Sequence, residues 1–493
     1  MGTKIVTALA CALALSGLAA AAAGAGSPAI GFAEDATKYS SDGGQALFTE
    51  LNKLGTTSNR VAVFWDATQP ATIQDKAFLD RMLPVAQAHN VQVVFAVYPK
   101  RALMAPTTPD AASAFCDYAV QVMKTYPSVR KVIIGNEPNQ PRFWQPIWTP
   151  DGKPAAPAAM EAVLATCYDK LKAFDPTLDV IGVGLSPRGN DSPQAPSNSS
   201  LSPVRFIKAL GDAYRASGRT APLFDEWSWH CYPNVNTDPV STGYPWPATG
   251  CVNADRVKQA IWDAFNGTGQ PTFEEQGVKT PYALGTTLFG TLKMFIDEVG
   301  WQVNTVGRPG YTGVENVPTV DEQTQAQVYA QLVHLANCEP TLTAFHFFHA
   351  IDEADRGTGF QSGPLRATGE ERSSAAGIQQ AIAADAGRCT GKLAAWHHAT
   401  TVVGAQASVS KSGGAMVVSL AAAEGFSFSV SFSKAQAGKK AFRGALVMTG
   451  TAPQTVATVK IPAGYAGRSL IVRFTAETSS ARTTTKTLTA RLG

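Results

Sequence analysis

Two glutamates stand out by their setting. Val132-Ile133-Ile134-Gly135-Asn136-Glu137-Pro138-Asn139 is an apolar run that ends in a carboxylate, with an amide just before it and a proline just after. The proline biases Glu137 away from helix and marks where the run stops. A second run, Phe295-Ile296-Asp297-Glu298-Val299-Gly300-Trp301, also ends in a carboxylate. Two carboxylates across a small cavity suit cleavage of a glycosidic bond: one protonates the departing oxygen, and the other attacks the anomeric carbon or activates water. Strand alternation sends the Asp297 side chain opposite to that of Glu298, which excludes Asp297 as the attacking group. Asp225 and Glu226 begin another run and so belong to the far end of the fold.

The elements that must position these groups follow from periodicity. Eight short runs rich in Val, Ile and Phe occupy 29–34, 60–65, 91–98, 131–136, 179–184, 226–232, 293–298 and 343–348. Between them apolar residues recur at three- and four-residue spacing, as in Phe78, Met82, Val85 and Phe115, Ala119, Val122, with Asp110 and Ser202 as candidate caps. Strand and helix alternating eight times predict a (β/α)8 TIM barrel, an α/β fold. An open doubly wound sheet would carry a glycine-rich phosphate turn after its first strand, and none follows residue 34. In a barrel, groups at the carboxyl ends of strands share one mouth, so Glu137 on the fourth strand and Glu298 on the seventh face each other. Beyond about residue 400 the texture changes to short alternating runs such as 415–420, 426–432, 456–461 and 469–476, which predict a small all-β sandwich. The expected organisation is a signal peptide over 1–26, a barrel over 27–396 and the β domain over 397–493.

With those elements in place, Asn136-Glu137-Pro138 on strand four and Glu298-Val299-Gly300-Trp301 on strand seven resemble the clan A glycoside hydrolases, retaining (β/α)8 enzymes that include glycosidase families 5 and 39. The resemblance spans roughly residues 29–390. It implies that Glu137 is the general acid/base, Glu298 the nucleophile, and Asn136 a contact to the sugar 2-hydroxyl. It also matches His230-Cys231-Tyr232 to the His-x-Tyr of strand six, whose tyrosine bonds the nucleophile, and Arg60 with Trp65 to the Arg and Trp of strand two, the arginine lying near the nucleophile. A cation such as Arg60 and a donor such as Tyr232 both favour an ionised Glu298. His230 has a second reading as a core histidine. Trp65 and Trp301 are candidates to stack on a sugar face, against the alternative of rim packing. Strand eight departs from the pattern: His346-Phe347-Phe348-His349 stands where a tryptophan floors the sugar site, so Phe348 or His349 must substitute.

The long connections 140–157, 186–203 and 232–253 should wall off a pocket, which favours exo action or short oligosaccharides over an endo-acting β-glucanase or mannanase. A carbohydrate-binding wall protein without turnover is the remaining alternative. Lys4, an apolar run to about Ala20 and the small residues 21–27 have the form of a secretory signal, which places the chain outside the cell. Six cysteines remain after Cys11; by position they pair in order, Cys116 with Cys167, Cys231 with Cys251 and Cys338 with Cys389. No close-spaced Cys pair supports zinc, and no metal or cofactor is expected. Asn198 and Asn266 begin Asn-x-Ser/Thr sequons. Of 493 residues 45% are hydrophobic and 16% charged, which excludes a disordered chain, and the net charge of +3 argues against nucleic acid. That small total hides a polarity: residues 400–493 hold 11 Lys and Arg against 2 Asp and Glu. Weak attachment of this basic domain to an anionic wall polymer is one reading, and a solvated face the other.

Overall fold

The computed structural model describes residues 27–273, 275, 289–412, 415–434, 448–460, 469–480 and 482–491. The expected signal peptide lies outside them. Eight parallel strands form the barrel: β1 Ala29–Ala33, β2 Ser58–Trp65, β3 Gln92–Pro99, β4 Lys131–Ile134, β5 Asp179–Leu185, β6 Glu226–His230, β7 Phe289–Glu298 and β8 Leu342–Phe347. Each pairs with the next, and β8 pairs with β1 to close the ring. A two-residue strand, Thr272–Phe273, lies outside the ring against β7. The surrounding helices are α1 Gln45–Lys53, α2 Lys76–Ala88, α3 Pro109–Thr125, α4 Ala156–Phe174, α5 Pro203–Ser217, α6 Ala254–Phe265, α7 Glu322–Asn337 and α8 Ser373–Asp385. All eight expected strands are present.

Alternation along the strands divides the core into two shells. Ala62, Val94, Ala96, Ile133, Ile181, Phe295 and Ala344 point inward and fill the barrel. Val61, Val63, Phe95, Val97 and Met294 point outward against helix residues such as Leu79, Met82, Phe115 and Val122. Strands covered on both faces must be apolar on both, which is why they read as continuous hydrophobic runs. The helix starts correct one detail. Pro109 takes the first helical position of α3, so Thr108 is its cap and accepts from the Ala111 amide at 3.3 Å, while Asp110 sits in the first turn. Ser202 does occupy the cap of α5, without a side-chain hydrogen bond. At the barrel floor Glu226 accepts from Lys131 at the start of β4 and from Thr343 Oγ1 at 2.6 Å, the place expected for it.

The cysteines pair in sequence order. Cys116–Cys167 joins α3 to α4, Cys231–Cys251 closes the β6 to α6 connection, and Cys338–Cys389 links the ends of α7 and α8. Removing Cys231–Cys251, whose partners are 20 residues apart, should cost about 3 kcal/mol by the loop-entropy relation. A guanidinium denaturation of Cys231→Ala/Cys251→Ala against wild type measures it; an unchanged midpoint would mean that the loop is held by its other contacts alone.

The C-terminal domain is all-β, as expected, and takes the form of one antiparallel sheet curled as a half-barrel. Its strands are β9 Gln406–Ser412, β10 Ala415–Lys434, β11 Met448–Lys460, β12 Ser469–Glu477 and β13 Thr483–Arg491. The long β10 pairs with β9, β11 and β12, and its register against β11 shifts between Ala421 and Phe426. That irregularity bends the strand, so Val418, Leu420, Phe426 and Val430 bury one concave face with Val472 and Phe474. Among the described residues no helix is long and apolar enough to cross a membrane.

Candidate active site

The mouth of the barrel is shaped by two departures from regular strand geometry. On β7, Ile296 lies opposite Trp229 and Glu298 opposite His230, so Asp297 is an extra residue in the ladder. This bulge corrects the alternation argument. Asp297 keeps the inward parity of Phe295, and Glu298, displaced by one position, turns into the mouth as well. At the end of β4, Glu137 adopts a left-handed backbone, φ 41°, following Gly135 at φ 110°. Non-glycine residues take this conformation only where the surroundings enforce it, and here the Glu137 amide is tied to Gly184 O at 2.8 Å.

The side chains converge on Glu298. Its Oε1 lies 3.2 Å from Arg60 Nη1 on β2, and its Oε2 accepts from the Tyr232 hydroxyl at 2.9 Å. Arg60 Nη2 also donates to Asn136 Oδ1 at 2.6 Å, which couples the amide beside Glu137 to the cation beside Glu298. His230 is completely buried beneath both glutamates. Its Nδ1 is 2.8 Å from Glu137 Oε1 and 3.3 Å from Glu298 Oε2, and its Nε2 is 3.4 Å from Asp297 Oδ1. Gly184 makes room for this stack, since a Cβ there would sit 3.2 Å from both Asp297 Oδ2 and His230 Nε2.

Burial and charge work against each other across the cluster. Desolvation lowers the His230 pKa, but the Glu298 and Asp297 charges outweigh it and hold the imidazole well above its ordinary value. Burial likewise raises Asp297, yet His230 and Arg60 overcome it and keep this carboxyl at about 2. For Glu298 burial wins: its pKa stays raised although His230 and Arg60 pull it down. Glu137, His230 and Glu298 offer one ligand atom each within 4.8 Å of one another. The Arg60 guanidinium, 3.2 Å from Glu298 Oε1, makes that trio a poor cation site.

The cavity above the cluster has a volume of about 1420 Å³. Arg60, Asn136, Glu137, Tyr232 and Glu298 line it, as do Phe348 and His349 at the end of β8. His230 is close to the chemistry but below the cavity surface. Trp65 and Trp301 do not reach it. Trp65 has the outward parity of β2 and packs edge-on against Phe115, with ring centroids 5.4 Å apart. Trp301 is buried in the outer shell, and its indole N–H donates to Asp238 O at 3.0 Å. His346 points into the barrel, 2.8 Å from Ser58 Oγ, where burial pushes it down to about 3 and keeps it neutral.

No family model and no curated protein matches the sequence. Solved structures do show similarity. One is a family 39 glycoside hydrolase from the gut symbiont Bacteroides cellulosilyticus WH2, at 13% identity over 88% of this chain and 81% of that one, with a TM-score of 0.46. A glucosidase from Croceicoccus marinus is 12% identical over 89% of this chain and 94% of its own, with a TM-score of 0.47. A GH5-4 broad-specificity endoglucanase from Clostridium longisporum is 12% identical over 69% and 84%, with a TM-score of 0.40. These are likenesses of architecture, and the reading of the site rests on its own geometry.

The connections after β4, β5 and β6 line the cavity as expected, through Phe143, Arg188 and Tyr244 among others. Sequence reasoning missed two more walls, after β7 at Gln302 and Asn316 and after β8 between Ile351 and Phe360. It also missed Glu34, a third carboxylate ending an apolar strand. Glu34 accepts from the Ala36, Ala350 and Ile351 amides at 2.7, 2.9 and 3.1 Å, which ties the rim after β1 to the rim after β8. The signature that singled out Glu137 and Glu298 was present at Glu34 too.

Proposed function

We propose that this chain is a glycoside hydrolase that cleaves O-glycosidic bonds with retention, through a glycosyl ester on Glu298. The observation that carries the reading is the spacing of the two glutamates: an oxygen of each lies within 4.8 Å of the other at the edge of one cavity. Retaining glycosidases place their carboxyl groups about 5–5.5 Å apart, and inverting ones roughly 6.5–9.5 Å apart to admit a water. In the first step Glu298 attacks the anomeric carbon while Glu137 delivers its proton to the leaving oxygen. In the second, Glu137 takes a proton from water as that water attacks the anomeric carbon, which breaks the bond to Glu298 and frees its carboxylate. Arg60 on one oxygen and Tyr232 on the other hold the attacking carboxylate ionised and oriented. His230 holds Glu137 and Glu298 by one imidazolium edge, and Asp297 fixes that imidazolium from below.

Walls contributed after β1 and after each strand from β4 to β8 support action on chain ends or short oligosaccharides. The three disulfides fit a protein exported to an oxidising compartment. The test is a panel of aryl glycosides followed by mass spectrometry with a 2-deoxy-2-fluoro glycoside of the best substrate. A covalent adduct on Glu298 supports the reading; an adduct elsewhere, or turnover with inversion, overturns it. Product sizes from a polysaccharide digest separate exo from endo action.

The pH profile is a second test. Glu298 must be ionised to attack, and its pKa is raised by burial, so kcat/KM should begin to fall on acidification at a pH above the ordinary carboxylate range. His230 pulls the Glu298 pKa down. His230→Gln removes that cation, so the acid limb should move to still higher pH. A limb that stays in place or moves to lower pH means that His230 carries no charge in the working enzyme.

A further inference from the structure

The C-terminal domain touches the barrel where the cavity wall is built. The connection 232–253 carries Tyr232 and Tyr244 to the cavity. Arg256, in the first turn of α6, reaches back to hold it, with Nη1 donating to Tyr244 O at 2.9 Å and to Ala248 O. Burial lowers the Arg256 pKa, and the charge of Glu424, from the irregular stretch of β10, opposes that shift. Glu424 in turn accepts from Arg482 Nη1 and Nη2, both at 2.6 Å, and Arg482 Nη2 donates to Asp263 on α6 at 2.9 Å. A base of the C-terminal domain is thus neutralised by one acid of its own domain and one of the barrel.

The residue after Glu424 makes the closest contact. A Cβ at Gly425 would lie 2.3 Å from the Trp246 ring at the tip of the same connection. The Gly425 backbone is not left-handed, so the ring and not the chain conformation demands glycine. Arg205 of α5 covers Trp246 at 5.6 Å from the ring centroid. Trp246 is therefore held between barrel and C-terminal domain.

We propose that the C-terminal domain clamps one wall of the substrate cavity, with Gly425, Glu424 and Arg482 as positioning residues that fix the 232–253 connection around Trp246 and through it Tyr244. A module that served only to tether the protein to a polymer would leave that wall indifferent to its presence. The kinetic half of the proposal rests on the glycosidase reading, and the mechanical half on the contacts alone.

The experiment compares full-length wild type with Gly425→Val and Arg482→Met. By hydrogen exchange, amides in 232–253 should exchange several-fold faster in both variants, while those of the helices joined by Cys116–Cys167 keep the wild-type rate. Wild-type exchange in 232–253 overturns the proposal. On a substrate of two or more sugars, KM should rise about tenfold with kcat changed less than about threefold, since the wall binds and does not react. A lower melting temperature with KM unchanged marks a structural role only and overturns it as well. Trp246→Ala supplies the control: with the ring gone Gly425→Val should add little, and fully additive effects would refute the contact. If wild type hydrolyses no glycoside, the proposed function fails by itself, and exchange still decides the clamp.

Discussion

On the proposed mechanism Glu298→Gly should lose turnover by at least about 10⁴-fold, because it removes the atom that would form the covalent intermediate while the rest of the site stays in place. The loss is specific in a way that a folding defect is not. Glycine leaves a gap beside Arg60 and Tyr232 large enough for a small anion, and the two groups that held the carboxylate now favour that anion. Added azide should restore cleavage of an activated aryl glycoside and yield a glycosyl azide of inverted anomeric configuration. Rescue without inversion, or wild-type turnover by the variant, would show that Glu298 is structural. The substitution also removes one of the carboxylates that face His230 and Arg60, so the cluster becomes more cationic and the anion enters an attractive field.

Glu137→Ala should cost about 10²–10⁴-fold, with the size set by the leaving group. A sugar leaving group needs the proton that the proposed mechanism assigns to Glu137 and should suffer the full loss. A nitrophenolate departs without help, so its glycosylation step is spared and the slow step becomes release of the Glu298 ester. A pre-steady-state burst of nitrophenol is then expected. Azide accelerates turnover here too, but it attacks the ester and gives a product of retained configuration. The opposite stereochemistry of the two rescues assigns the two roles, and equal sensitivity to good and poor leaving groups would remove Glu137 from the acid role.

The barrel was legible because a buried parallel strand must be apolar on both faces and short, a pattern that helices between them do not share. Glu137 and Glu298 were legible because strand ends in a closed barrel converge on one mouth, whereas Arg60, Asn136 and Tyr232 came from the resemblance to the clan A glycoside hydrolases. Asp297 was misplaced because periodicity assumes a regular ladder, and one inserted residue at Asp297 defeats it. Trp65 illustrates a different limit. Its parity on β2, one residue from the inward Phe64, already sends it to the helices, but a motif match carried it to the cavity. The walls after β7 and β8 went unread because their residues carry no local signal; they matter only through where the chain returns.

The Glu34 bridge has a temporal meaning. Its carboxylate on the first strand receives amides from residues 316 and 317 positions later, so the rim of the cavity is completed by the same event that closes the barrel. Contacts this distant in sequence are the last and slowest that a chain makes. A growing chain therefore passes through synthesis of seven strands, with Glu137 and Glu298 both present, before a site exists to use them. Appearance of the proposed glycosidase activity during refolding would in that sense be a clock for ring closure, and it should lag the recovery of helical signal.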